Sequence, residues 1–540
     1  MVNKTVFASQ AKAAQQAVLN EAGGRAYKLE SRAALAQLAA TGTLNHTFYQ
    51  DAQLQLQQVL DIAAEVEPEF IAKTAVYARQ YAYMKDMPVV LLALLSQRDA
   101  ALFKQVFALV VDNGKQLRNF VQVMRSGVIG RKSLGSMPKR MVNDWLLAAS
   151  DKQLLAASIG NEPSLADVLK MTHPKPVTTA QEAFFAYVLG REHQMDTLPA
   201  NVQALEKFRT GVTAEVPDVP MQLLTSLQLS AEQWAEVARN GSWQMLRMNL
   251  NTLLRHGVFD IAGMPELVAA KLSDETAIAK SRVLPYQLMM TWDAVDDAVP
   301  TVVKQALEKA MQHALVNVPK LPGNVVVAID VSGSMSSSVT GYRKGATSKL
   351  RCVDAAALFA SALKQVNPQI RLMPFDTEVR YLPEQRALGL TDKIRELFTG
   401  KERSVLDLAK LLAGMCGGGT DCSKPLRKLN QEQAEVDLVI YFSDNESWAD
   451  QLPNRRYSTG MMSQWGELKQ RNEHARLVCV DVQPYVTTQM PERADVMNIG
   501  GFGDDVFRLI DLFAKGELHA QHWINEIENI QLTQNQFRAS

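Results

Sequence analysis

The chain has 540 residues, with 57 Lys+Arg against 57 Asp+Glu and 47% apolar residues. That length predicts at least two hydrophobic cores, and the balanced charge excludes a polycation that holds nucleic acid by bulk charge, although a local basic patch stays open. The longest apolar run, Val89 to Leu95, is far shorter than the ~20 residues that span a bilayer.

The opening stretch, MVNKTVFASQAKAAQQ, has no apolar core, so no signal peptide is predicted. Residues 1–318 then read as helices rich in Ala, Leu, Gln, Met, Lys and Arg. In Leu54 to Ala64 the apolar positions Leu56, Val59, Leu60 and Ala63 share one face. Further helices are predicted near 31–40, 67–84, 88–95, 98–112, 115–126, 137–150, 179–190, 230–239, 243–256 and 300–316, separated by Gly and Pro. No alternating strand stands out in this half. Many short helices in series predict a stacked helical-pair solenoid of HEAT type, with a compact multi-helix domain as the alternative.

The pattern changes at Pro319-Lys320-Leu321-Pro322-Gly323. Apolar strands Val325–Ile329, Ile370–Phe375, Val436–Phe442 and Ala475–Asp481 alternate with helices Val353–Val366, Ser404–Met415 and Met461–Asn472, and a last short strand is predicted at Asp495–Ile499. This alternation predicts a doubly wound parallel sheet covered on both faces. Residues 319–515 form this second domain, and 516–540 a C-terminal helix and polar tail. The four cysteines, Cys352, Cys416, Cys422 and Cys479, are too few for a disulfide framework and lack zinc-site spacing. They predict reduced thiols and a cytoplasmic protein.

Three segments of the second domain carry oxygen ligands. Asp330, Ser332 and Ser334 follow the first strand, Thr420 lies in Gly417-Gly418-Gly419-Thr420-Asp421, and Asp444 follows the strand Val436–Phe442. Loops at the carboxyl ends of parallel strands converge on one crevice. Two carboxylates and three hydroxyls, with no thiolate or imidazole, suit a hard divalent cation, Mg2+. The ion would stay electrophilic enough to accept an outside carboxylate or phosphate oxygen. The alternative is a vestigial loop in which Asp330, Ser332 and Ser334 make turn hydrogen bonds only. Ser332 and Ser334 are weak candidates for a nucleophile, because G-x-S-x-G is absent and no histidine lies in these loops. The glycine run lacks the lysine of a phosphate-binding loop.

In the helical half, Lys115 to Arg140 holds seven basic residues and no acid: Lys115, Arg118, Arg125, Arg131, Lys132, Lys139 and Arg140. Lys170, His173 and Lys175 form a second basic stretch, and Arg247, Arg255 and His256 a third. Clustered cations can neutralise several phosphates and release counterions, although most charge runs are solvated helix faces. Trp145, among Val142, Leu146 and Leu147, is predicted to pack in the core.

The metal segments, DxSxS at Asp330–Ser334, GGGTD at Gly417–Asp421 and FSDN at Phe442–Asn445, resemble the metal-ion-dependent adhesion site of von Willebrand factor A domains. In the first half, Asn20–Tyr27, Thr41–Tyr49, Tyr77-Ala78-Arg79, Pro138-Lys139-Arg140 with Asn143-Asp144-Trp145, Asp167–Lys170 with His173–Pro176, and Arg282–Tyr286 are similar to the TROVE domain. Together, in this order, they resemble the Ro ribonucleoprotein family, its bacterial members above all. The resemblance implies that the helical repeats close into a ring and that the A domain helps to join its ends. It also implies binding of small noncoding Y RNA and of single-stranded ends of misfolded RNA, and delivery to an exoribonuclease such as polynucleotide phosphorylase. By motif position it assigns RNA contacts to Lys139, Arg140, Lys170 and His173; charge alone adds Arg118, Arg125, Arg131 and Lys132.

The expected protein is a monomeric, non-enzymatic RNA-binding factor without a membrane partner. Two rivals stand beside it. One is a metal-dependent protein–protein adaptor with a helical scaffold. The other is a hydrolase using Asp330, Asp444 and a metal, which a mixed hydroxyl and carboxylate site argues against.

Overall fold

The computed structural model describes residues 18–41, 44, 45, 47, 49–281, 283, 285–314, 318–339, 341, 342, 350–382, 404–449, 459–491, 493–501, 505–517 and 522–532. The opening stretch read for a signal peptide and the last part of the polar tail lie outside them. The chain divides into two compact units, one of residues up to 65 with 317–526, the other of 66–316 with 527–540.

The first unit is built on strands β1 (Val18–Leu19), β2 (Arg25–Lys28), β3 (Val325–Asp330), β4 (Arg371–Phe375), β5 (Leu438–Ser443), β6 (Arg476–Asp481), β7 (Thr487–Thr488) and β8 (Val496–Gly500). β3 and β5 are buried along their whole length, as expected of interior strands of a parallel sheet. The main sheet has the order β4-β3-β5-β6-β8, all parallel, with Ala328 opposite both Met373 and Tyr441. Chain order therefore runs outward from β3 on one side to β4 and on the other to β5. The crevice at such a reversal, at the carboxyl ends of the strands, is where this class of sheet binds ligands. On one face Val326, Ala328, Met373, Phe375, Val439, Tyr441, Leu477 and Cys479 pack with Leu426, Leu429, Met461, Trp465 and Leu468 from the helices Lys424–Gln431 and Gly460–Arg471. Each Val, Leu, Met or Phe among them contributes roughly 1.5–3 kcal/mol by leaving water.

The predicted strands and helices of this half are present, with ends moved by a residue or two. Two expectations are corrected. Strands do occur before residue 318: β1 pairs antiparallel with β2, and β2 with β7, placing Tyr27 opposite Thr488 and Lys28 opposite Thr487. Because β2 hydrogen-bonds to β7, the residues up to 65 belong to the α/β unit, not to the helical half that was drawn from 1 to 318.

In the second unit the described residues form helices without strands. The Pro68–Gln80 helix packs on Met87–Arg98 and Ala100–Val110, and Met87–Arg98 packs on Gly114–Ser126. Phe103, Phe107 and Phe120 make an aromatic cluster with centroids 5.4–5.9 Å apart. Short helices not predicted from the sequence, Asp151–Ala157 and Leu165–Thr172, are set by capping boxes at Ser150/Gln153 and Ser164/Asp167. The end of the chain returns to this unit: Lys73 Nζ donates to the Glu528 carbonyl at 2.8 Å and Gln105 Nε2 to the Leu532 carbonyl at 3.1 Å.

Candidate metal centre and basic surface

All five predicted metal ligands come together. Asp330 closes β3, and its Oδ1 accepts from Ser332 N at 2.8 Å while Oδ2 accepts from Ser443 Oγ at 2.6 Å. The Ser332 and Ser334 hydroxyls lie 3.2 Å apart, and the Ser334 hydroxyl bonds the Asp444 carboxylate. The Thr420 loop is tied to both others. Gly333 N donates to the Gly418 carbonyl at 2.9 Å, and the Thr420 carbonyl accepts from Trp448 N at 3.2 Å and Ala449 N at 3.0 Å. Gly418 has φ +88, and a Cβ there would stand 2.9 Å from Asp376 Oδ2, so this close approach requires glycine. None of the five ligands is more than 4% exposed.

Buried carboxylates crowd the site. Burial, reinforced by the Asp444 charge, pushes the Asp330 carboxyl up to about 7, and burial raises Asp444 as well. Sequence reasoning missed two more buried acids beside them. Burial, then Asp444, raises Glu446, and burial pushes Asp481 up to about 8 although Asn445 Nδ2 bonds it at 3.0 Å. Among the described residues no Lys, Arg or His bonds or pairs with any of these four. Glu446 Oε1 is buried with no hydrogen-bond partner. A hard divalent ion fits this donor set and would supply positive charge there. The described residues contain no cluster of three or more His, Cys, Asp and Glu suited to a metal, so the ion would depend on the hydroxyls of Ser332, Ser334 and Thr420.

The four cysteines carry free thiols; Cys416, half-buried, donates from Sγ to the Ser332 carbonyl at 3.2 Å. Among the described residues no helix is long and apolar enough to cross a membrane.

Most of the predicted RNA contacts are gathered in the helical unit. Lys139 and Arg140 lie on the Ser136–Ala148 helix; Lys170 and His173 lie at the end of Leu165–Thr172. These helices pack together, with Asn143 Nδ2 donating to the Thr172 carbonyl at 3.0 Å. His173 is an exposed left-handed C-cap with φ 49. Arg140, Lys170, Arg125 and Lys132 are exposed, Lys139 and Arg131 half-buried, and none of the described residues closes an ion pair within 4 Å with them. Arg125 and Lys170 both act on the Asp167 carboxyl, which is held low chiefly by Ser164. Arg118 is corrected: it is 8% exposed, and its guanidinium donates to the carbonyls of Ile159 and Pro163. Desolvation lowers its pKa, and it braces the inter-helix turn instead of facing a ligand. Trp145, expected in the core, is half-buried.

Residues 324–514 match the Ro60 vWA domain and residues 178–355 the TROVE domain. The RNA-binding protein RO60 of Deinococcus radiodurans is 25% identical over 546 residues, covering 93% of this chain and 96% of that one. The RNA-binding protein RO60 of Caenorhabditis elegans is 23% identical over 267 residues, 46% of this chain and 37% of its own. The crystal structure of the Deinococcus radiodurans RO (RSR) protein superposes with a TM-score of 0.59 at 19% identity, covering 90% of this chain and all of that one. With the helical unit, the parallel sheet and the oxygen-ligand loops in place, these matches show that the chain belongs to the Ro family, carrying a TROVE domain and a Ro60-type von Willebrand factor A domain.

Proposed function

We propose that this protein is a non-enzymatic RNA-binding factor of RNA quality control. It holds small noncoding Y RNA and the single-stranded ends of misfolded RNA, and hands RNA to an exoribonuclease such as polynucleotide phosphorylase. The observation that carries the reading is the basic surface of Lys139, Arg140, Lys170 and His173 on two packed helix ends, flanked by Arg125, Arg131 and Lys132. The naming of both curated relatives as RNA-binding proteins supports it. Cations directed at phosphates grip RNA with little regard to sequence, which suits recognition of many defective transcripts. Exposed His173 and Arg140 offer flat groups on which unpaired bases stack.

In this reading Asp330, Ser332, Ser334, Thr420 and Asp444 hold Mg2+, which supplies positive charge to the crevice of the A domain and performs no reaction. The protein acts in the cytoplasm as a monomer. Sequencing of RNA that copurifies with the protein from its own cells tests the reading. A small structured RNA in stoichiometric amount is expected. Recovery of protein partners without RNA would replace this reading with the metal-dependent adaptor.

A further inference from the structure

All five of these side chains, Asp330, Ser332, Ser334, Thr420 and Asp444, are buried. The N-terminal segment of the same unit lies on the loop that carries Asp444. Ala22 N donates to Glu446 Oε2 at 2.9 Å, and Asn20 Nδ2 donates to the Ser447 carbonyl at 2.9 Å. Gly24 packs so closely that a Cβ would stand 1.8 Å from the Ser447 carbonyl oxygen. Fully buried Gln489 bridges the two, its Nε2 donating to the Asn445 carbonyl at 2.8 Å and to the Arg25 carbonyl at 3.3 Å. At the other end of the segment Tyr485 Oη donates to Thr47 Oγ1 at 3.1 Å, and the Tyr49 ring meets Tyr485 edge-on with centroids 6.1 Å apart. The Tyr49 hydroxyl bonds Ser334, in the field of Asp444, Glu446 and Asp330. The segment thus touches a metal ligand directly and holds the buried carboxylate of Glu446, whose second oxygen has no partner.

We propose that the cation site is closed from within the chain: residues 20–25 dock on the loop after β5, and the Tyr49 phenol stands at the ion's outward position. Ion binding and docking of this segment then strengthen one another, and an outside carboxylate reaches the ion only when Tyr49 leaves. The inference rests on the reading that Asp330, Ser332, Ser334, Thr420 and Asp444 hold a divalent cation. It replaces the open, ligand-accepting site expected from the motif with one whose occupant is the protein's own N-terminal segment. The physical cause of the coupling is a shared loop. Glu446 N donates to Asp444 Oδ1 at 3.2 Å and Glu446 Oε2 anchors Ala22, so an ion that fixes Asp444 also fixes the acceptor of the segment.

The test uses the full chain with Mn2+ as probe, reading affinity by calorimetry and access by water-proton relaxation, with and without acetate. In the wild type we expect Mn2+ to bind with weak relaxation enhancement that acetate does not change. Tyr49→Ala, and independently Gly24→Ala, which detaches the segment without touching a ligand, should weaken Mn2+ by about tenfold, the effect of about one lost hydrogen bond. Both should strengthen the enhancement, and acetate should then quench it. Tyr49→Phe keeps the ring packed on Tyr485 and should show the same gain of access with unchanged melting. Quenching by acetate in the wild type equal to that in the variants would overturn the inference while leaving the cation site in place. Absence of Mn2+ binding in every protein would remove the cation site and the inference with it.

Discussion

Replacing Asp330 by Asn tests the charge balance of the proposed metal centre. The side chains are nearly isosteric, and the local hydrogen bonds survive save that the Ser443 hydroxyl proton, which Asp330 Oδ2 accepts at 2.6 Å, must turn to another acceptor. The amide oxygen can accept from Ser332 N, and the amide nitrogen can donate to Ser443 Oγ, which already accepts from Asn445 N at 3.0 Å. What changes is a buried negative charge beside Asp444. Without a cation, the rise of Asp330 from 3.8 to about 7 means that the ionised form costs the folded state on the order of 4 kcal/mol. The sign follows from proton linkage. Between those two values the folded state binds a proton that the unfolded state has lost, so stability falls as pH climbs from about 4 to about 7 and stays low above it. At pH 8 in chelator, Asp330→Asn should therefore raise the melting temperature of the α/β unit by on the order of 10 °C, taking about 2–4 °C per kcal/mol for a unit of this size. Mg2+ should stabilise the wild type, by about 2.7 kcal/mol at a hundred times its dissociation constant, more strongly at pH 8 than at pH 5.5. It should leave Asp330→Asn unmoved. Scanning calorimetry at both pH values, with Mg2+ or chelator, reads all of this. A variant that melts below the wild type in chelator at pH 8, or that gains as much from Mg2+, would refute the argument.

Other perturbations separate architecture from ligand contact. Arg118→Ala should destabilise the helical unit by about 1–3 kcal/mol in urea unfolding, because it strips the carbonyls of Ile159 and Pro163 of their donor. It should leave the salt dependence of RNA binding as in the wild type; a changed slope would return Arg118 to the binding surface. Phe120→Ala, in the cluster with Phe103 and Phe107, should cost about 3–5 kcal/mol, also read in urea. Ser164→Ala removes the cap shared with Asp167 and should cost about 1 kcal/mol, with looser hydrogen exchange over Leu165–Thr172.

The sheet and the convergence of the Asp330, Thr420 and Asp444 loops were legible because both are written locally. A buried parallel strand is an unbroken apolar run, and Asp330, Ser332 and Ser334 sit within five residues at the end of one. The short β1 and β2 were not legible, since two and four residues carry too little alternation to register as strands. The pairing of β2 with β7 spans more than 450 residues of sequence and has no local trace. Contacts more than 400 residues apart hid Tyr49 and Glu446, although Glu446 follows Asp444 by two residues and could have been weighed as a further acid. Arg118 misled because charge counts residues without regard to helix face. It lies four positions after Gly114 and three before Val121, on the buried side of an amphipathic helix. The short capped helices were readable in principle from Ser150-x-x-Gln153 and Ser164-x-x-Asp167, a signal weaker than the apolar periodicity used to find the others.

The central claim is that the Lys139, Arg140, Lys170 and His173 surface holds RNA by its phosphates. The most direct measurement is the affinity of the full chain for a structured RNA with a single-stranded end, taken across a salt series, for the wild type and for Lys139→Ala/Arg140→Ala/Lys170→Ala. Loss of three phosphate contacts should weaken binding and reduce the slope of log affinity against log salt by about 2. Equal affinity and equal slope in the two proteins would contradict the account.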